Sequence, residues 1–135
     1  MTPVAPNPMA KPRVLIVDDS RIVRTTLARQ VEAVYDIREA SDGVEAWETV
    51  LIDPTIRIVI TDLTMPNLDG YGLLLRIRES RIRRIRVMPV VVVSGAQEAA
   101  EHARVHAAGA TDLISKGATA AELLACLSMV LQSPG

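Results

Sequence analysis

A chain of 135 residues, 49% apolar and 23% charged, has the size and composition of one globular domain. Sixteen acids against fifteen bases leave a net charge of −1, which argues against a generally basic nucleic-acid binder. The single cysteine, Cys126, excludes an internal disulfide and a cysteine-based structural zinc site, and neither a secretory signal nor a run near the ~18 apolar residues of a membrane span is present, so a cytoplasmic protein is expected.

Residues 1–12 hold Pro3, Pro6, Pro8 and Pro12 with few large apolar groups, and read as a disordered proline-rich tail before a domain over 13–132. Val14-Leu15-Ile16-Val17 ends abruptly in Asp18-Asp19-Ser20. Apolar residues without alternation predict a strand covered on both faces, as in a parallel sheet. Ser20 caps a following helix in which Ile22, Val23, Leu27 and Val31 recur at helical spacing. Tyr35–Ala40 predicts a weaker strand, Asp42-Gly43 a turn, and Val44–Leu51 a helix with Val44, Trp47, Val50 and Leu51 on one side. Asp53-Pro54 stops that helix. Ile56–Thr61 is a strand of strong β formers ending at Asp62. Tyr71–Ile77 is helical, and Val90–Val93 is a strand of four valines. Ala96–Ala108 is a helix closed by Gly109, Leu113-Ile114 a short fifth strand, and Thr119-Ala120-Ala121-Glu122 a capping box before a helix to about Leu131.

Five strand–helix units predict an α/β fold: an open doubly wound sheet of five parallel strands with helices on both faces. The informative residues stand just past the strand ends: Asp18 and Asp19 after the first, Asp62 after the third, Ser94 after the fourth, Lys116 after the fifth. In such sheets ligands bind outside the carboxyl ends of the strands, where the strand order reverses. With the order 2-1-3-4-5, the first and third strands flank that point and these five side chains converge.

Three carboxylates brought together repel, and a divalent cation relieves the conflict. All the donors are oxygen, which suits Mg²⁺. Lys116 and Ser94 suit the anionic oxygens of a phosphoryl group beside the metal. Asp62, alone on its strand and opposite Lys116 and Ser94, is the carboxylate placed to act as nucleophile toward phosphorus.

These pieces, Val17-Asp18-Asp19-Ser20, Asp62-Leu63-Thr64-Met65-Pro66 with Asp69-Gly70, Ser94-Gly95 and Lys116, resemble the receiver domain of bacterial two-component response regulators, of flavodoxin-like fold. The resemblance covers roughly residues 13–131. It implies that Asp62 is phosphorylated by a histidine kinase or histidine phosphotransfer protein. It implies that Asp18, Asp19 and Asp62 hold Mg²⁺ with the Thr64 carbonyl as a further ligand, and that Lys116 pairs with phosphoryl oxygens. Ser94 would turn toward the phosphoryl group, and the Thr64 side chain would set the access of water during dephosphorylation. The switched surface would be the fourth helix, fifth strand and fifth helix, facing a downstream output domain or a second copy in a homodimer. The chain would be either a stand-alone receiver or the N-terminal module of a longer regulator, with no membrane or direct nucleic-acid contact.

Two residues depart from the family pattern. Leu113 stands where an aromatic residue is usual, which puts a linked rotation of Ser94 and a ring in doubt. Gly117 follows the lysine where proline is usual, and a looser loop around Lys116 is the expected consequence.

Other features have plainer readings. Arg76, Arg78, Arg81, Arg83, Arg84 and Arg86 suggest phosphate contact, but without interleaved aromatics a solvated helix end and loop anchored by Ile82 and Ile85 is favoured. Glu98, His102 and His106 share a helix face without the partners of a metal motif. Cys126 reads as a packing residue. The last helix has a core stripe of Leu123, Leu124, Leu127, Val130 and Leu131 and a weakly polar outer side that suits either solvent or a second chain. Two rivals stay open. One is a phosphatase using an aspartyl phosphate, against which Thr64 stands where such enzymes need a second acid. The other is a phosphate-independent interaction module on the same fold.

Overall fold

The computed structural model describes residues 11–95 and 99–132. The expected tail, apart from residues 11 and 12, lies outside them, as do the first residues of the helix expected from Ala96. The sheet has five parallel strands in the order β2-β1-β3-β4-β5. These are β1 (Arg13–Val17), β2 (Asp36–Ala40), β3 (Ile56–Thr61), β4 (Val90–Ser94) and β5 (Asp112–Ser115). The helices are α1 (Arg21–Val31), α2 (Gly43–Ile52), α3 (Gly70–Arg78), the single turn α4 (Arg83–Arg86), α5 (Ala99–Ala107) and α6 (Ala120–Gln132). The expected strand order and doubly wound architecture are therefore present. Because α4 interposes a turn, the fourth and fifth helices expected from the sequence are α5 and α6.

The unbroken apolar runs of β1, β3 and β4 serve two cores. Val14, Ile16, Ile58, Ile60, Val91 and Val93 face Leu27 and Val31 of α1 and Leu123, Leu127 and Val130 of α6. Leu15, Val17, Val59, Val90 and Val92 face the other way, toward α2, α3 and Val105 of α5. Successive side chains of a strand point to opposite faces, so a strand covered on both sides must be apolar at every position.

Side chains set the helix starts. Ser20 accepts the N–H of Val23 at 3.3 Å, Asp42 that of Glu45 at 2.8 Å and Asp69 that of Gly72 at 2.8 Å. The capping box before α6 is formed in full: Thr119 Oγ1 accepts the Glu122 N–H at 3.1 Å, while Glu122 accepts the Thr119 N–H at 3.3 Å.

Three expectations about helix faces need correction. In α2 the buried row is Gly43, Ala46, Thr49 and Val50, while Val44 and Leu51 are exposed. The cause is close contact at Gly43, where a Cβ would lie 2.2 Å from the Leu68 carbonyl oxygen. That contact turns the Gly43–Ala46–Val50 row inward. Ile22 is 80% exposed, since α1 packs through Leu27 and Val31. Ile82 is exposed as well, so of the two isoleucines Ile85 is the buried anchor of the arginine-rich segment.

That segment is a backbone-binding device. Arg78 donates to the carbonyls of Gly109, Arg86 and Met88 at 2.8, 2.9 and 2.7 Å, and Arg84 donates to those of Val50 and Leu51 at 3.0 and 3.1 Å. Among the described residues, no helix is long and apolar enough to cross a membrane.

Candidate functional site

The strand register carries the polar residues to one rim. The Asp18 N–H extends the β1–β2 ladder onto Ala40 at 3.2 Å, and the Asp62 N–H continues β3 onto the Val17 carbonyl at 3.0 Å. The Lys116 N–H continues β5 onto the Ser94 carbonyl at 3.0 Å. Each residue is thus fixed by a backbone hydrogen bond just past the end of its strand.

Asp18, Asp19 and Asp62 each offer a carboxylate oxygen, and these three atoms lie within 4.8 Å of one another. Asp18 and Asp62 are 2% and 8% exposed, and Asp19 is open to solvent. Burial pushes the Asp18 carboxyl up, the Ser20 N–H at 2.8 Å opposes this, and the charge of Asp62 adds to it. Arg24 fixes the turn from behind, donating to the Asp18 carbonyl at 2.7 Å and to Glu39 at 3.1 Å.

Asp62 is held at both oxygens. Oδ1 accepts the N–H of Leu63 at 2.8 Å, and Oδ2 faces the Lys116 ammonium at 3.3 Å. The fold therefore joins four of the residues singled out in the sequence, Asp18, Asp19, Asp62 and Lys116, into one cluster. Ser94 is tied to it through the Lys116 backbone, but its hydroxyl points elsewhere, donating to Glu101 Oε1 at 3.0 Å. Thr64 is exposed in the loop after β3, in a cleft of about 360 Å³ that Leu63, Asp69, Glu101 and Arg104 also line. Over that cleft the Arg104 guanidinium stacks 4.4 Å from the centre of the Tyr71 ring.

The loop around Lys116 is not loose. The Gly117 N–H donates to Ser115 Oγ at 3.1 Å and the Ala118 N–H to the Ser115 carbonyl at 3.0 Å, closing a hydrogen-bonded turn. A serine at the strand end does this work, and every described peptide bond is trans. Leu113 is half-buried against the core on the α5 side.

Of the three residues suspected of sharing a metal-binding helix face, Glu98 lies outside the described residues, His102 is half-buried and His106 is exposed. Among the described residues, Asp18, Asp19 and Asp62 are the group placed to hold a metal ion. The Cys126 thiol donates to Asp112 at 3.4 Å, and burial with that carboxylate pushes its pKa up to about 12. A thiol so protonated is a packing residue, not a nucleophile.

Glu101 escapes a reading of the sequence, and the reason for a glycine after Asp69 becomes visible only in the fold. Glu101 reaches Ser94 from the next helix, and no local pattern announces such a contact. Gly70 passes so close to the loop after β3 that a Cβ there would lie 2.3 Å from the Asp62 carbonyl oxygen.

The donor set fits Mg²⁺. A hard ion with oxygen ligands at about 2.1 Å places opposite donors about 4 Å apart, so small side-chain rotations bring these carboxylates onto one ion or its bound water.

Comparison with known proteins bears on the same residues. Residues 14–128 match the family model of the response regulator receiver domain. The chain is similar to chemotaxis protein CheY1 of Helicobacter pylori, 32% identical over 123 residues that make up 88% of this chain and 96% of that protein. It is also similar to a gliding motility regulatory protein of Myxococcus xanthus, 38% identical over 91% of this chain, although the match spans only 16% of that protein's length. The solved structure of Vibrio cholerae chemotaxis protein CheY4 superimposes with a TM-score of 0.81 at 25% identity, covering 90% of this chain and 99% of that one.

Proposed function

The chain belongs to the response regulator receiver domain family, and on that premise we propose that it is a phosphorylation-controlled switch with Asp62 as phosphoacceptor. Receiver domains are signalling modules of two-component systems, not classical enzymes, and occur alone or within longer proteins. The phosphoryl donor is a phosphohistidine of a kinase or phosphotransfer protein. Asp62 Oδ2 attacks phosphorus, the phosphorus–oxygen bond forms, and the phosphorus–nitrogen bond breaks. The leaving imidazole takes up a proton, and Asp62 carries an acyl phosphate.

Mg²⁺, when bound, screens the charge that gathers on the transferring oxygens. Asp18, Asp19, Asp62 and the Thr64 carbonyl are the groups that would hold it. Lys116 follows the phosphoryl oxygens with its compact ammonium. Ser94 supplies a hydroxyl donor, and the Thr64 side chain governs the approach of water to the acyl phosphate. The added charge biases the surface of α5, β5 and α6 between two packings, and that surface meets an output domain or a second copy. A cytoplasmic location accords with this chemistry.

The single observation that supports the reading best is the pairing of Lys116 with Asp62 at 3.3 Å beside Asp18 and Asp19. Incubation with Mg²⁺ and acetyl phosphate, followed by intact-mass measurement, is expected to add one phosphoryl group. Asp62→Asn is expected to take none at that position. A wild type left unmodified by several small donors would defeat the reading.

A further inference from the structure

Ser94 ends β4 with its hydroxyl directed to Oε1 of Glu101, in the first turn of α5, at 3.0 Å. Ser94 is 4% exposed and Glu101 half-buried, so water competes poorly for this bond. Glu101 also lines the cleft that holds Leu63 and Thr64, the two residues after Asp62. A hydroxyl has one proton to donate. Ser94 can give it to the Glu101 carboxylate or to an oxygen of a phosphoryl group on Asp62, but not to both. Both acceptors are anionic, so both bonds are charge-assisted and of similar strength.

We propose that Glu101 is a positioning residue of this site: it holds the Ser94 hydroxyl in the unmodified protein and competes with the phosphoryl group for it. The strength of the Ser94–Glu101 bond then sets how tightly a phosphoryl ligand is held on Asp62. This inference rests on Asp62 being the phosphoacceptor. Helix α5 has anchors besides Glu101, in fully buried Val105 and in Arg104 stacked on Tyr71. Truncation of Glu101 is therefore compatible with a folded protein.

A double-mutant cycle on the full chain tests the idea, with beryllofluoride and Mg²⁺ as the probe and fluorine NMR of the bound species as the readout. Glu101→Ala is expected to raise beryllofluoride affinity about tenfold when Ser94 is present, the size of one partly exposed charge-assisted bond. In a Ser94→Ala background the same substitution is expected to change affinity by less than about twofold. Glu101→Gln, which keeps an acceptor and the packing but not the charge, is expected to fall between wild type and Glu101→Ala.

An equal gain in both backgrounds would reduce Glu101 to a repelling charge and overturn the inference, as would no gain in either. A wild type that neither binds beryllofluoride nor accepts a phosphoryl group would fail differently, by removing the role of Asp62 itself.

Discussion

The Lys116 ammonium meets Asp62 Oδ2 at 3.3 Å across 54 residues of sequence, because β3 and β5 end at the same rim on either side of β4. The lysine side chain is 39% exposed and the aspartate side chain 10%. With its ammonium end so open to solvent, the pair contributes little to folding, about 0–1 kcal/mol. On the proposed function its value lies in transfer chemistry, where a fixed cation would meet charge that develops on phosphoryl oxygens. Lys116→Met is expected to leave the melting temperature within a few degrees of wild type while slowing phosphorylation by acetyl phosphate about 100-fold. Lys116→Arg is expected not to restore the rate, since a planar fork does not replace a point charge. A thermal melt and a mass-resolved time course separate the two effects. An unaltered rate would deny Lys116 its role.

Gly70 governs Asp62 from outside the chemistry. An added Cβ would meet the Asp62 carbonyl oxygen at 2.3 Å and the Leu63 Cα at 2.8 Å, both backbone atoms that cannot turn aside. The Gly70 N–H also donates to the Leu63 carbonyl at 2.8 Å, so helix and loop are tied where they are most crowded. Gly70→Ala is expected to destabilise by about 1–3 kcal/mol and to slow phosphorylation by displacing the carboxylate. Gly117→Ala is the control, because its added carbon meets only Ser115 Oγ, at 3.7 Å. Its cost is expected to stay within about 0.5 kcal/mol. Urea titration reads the stability, and equal behaviour of the two variants would refute the steric account.

The strands were legible because a sheet covered on both faces demands apolar residues at every position, and Val14–Val17, Ile58–Ile60 and Val90–Val93 meet that demand without interruption. The acid cluster was legible because Asp18 and Asp19 follow one such run and Asp62 stands one residue, Thr61, past another. The burial of helix faces was less so. Val44 and Leu51 are apolar yet exposed, since the rotation of α2 is set by Gly43 against Leu68, a contact between distant segments. The arginines after α3 looked like a solvated charge run. Arg76, Arg81, Arg83 and Arg86 are exposed as that reading expects, but Arg78 and Arg84 bind carbonyl oxygens, which every residue carries and no sequence motif marks. Ser94 could be seen as a hydroxyl at a strand end, but not its engagement with Glu101, which depends on where α5 lies.

Asp53 is expected to make the fold sensitive to acid. At the opposite end of the sheet from the acid cluster, it accepts from the Thr55 hydroxyl, from Arg13 at 3.0 Å and from Arg38 at 3.2 Å. These partners, the Thr55 hydroxyl foremost, lower its pKa to about 2. A carboxyl depressed in the folded state stabilises above its unfolded pKa and loses that contribution as the pH falls through the folded value. The window runs from about pH 4 down to about pH 2, and the contribution is about 2 kcal/mol before allowance for the partly exposed arginines. Asp53→Asn is expected to cost about 1–2 kcal/mol at pH 7 and to converge with wild type near pH 2. Urea titrations across this range check it, and a difference independent of pH would show that packing, not charge, is at stake.

Asp18 has the opposite sign. It is 2% exposed, and burial, reinforced by the charges of Asp62 and Asp19, raises its pKa against the opposing pull of the Ser20 N–H and Lys116. A carboxyl raised in the folded state destabilises progressively as the pH climbs above its unfolded value toward its folded one. Asp18→Asn keeps the shape and an oxygen for the Ser20 N–H while removing one charge of the three. Without divalent cations this variant is expected to gain about 1 kcal/mol, or about 4 °C in melting temperature. In wild type, Mg²⁺ is expected to bind the folded state preferentially and to raise the melting temperature by mass action. In Asp18→Asn that increment should largely vanish, because the ion loses a ligand. Thermal melts of both proteins in EDTA and in Mg²⁺ measure all four states. A variant that melts below wild type in EDTA, or that keeps the full Mg²⁺ increment, would show that repulsion among these acids is not what a bound cation relieves.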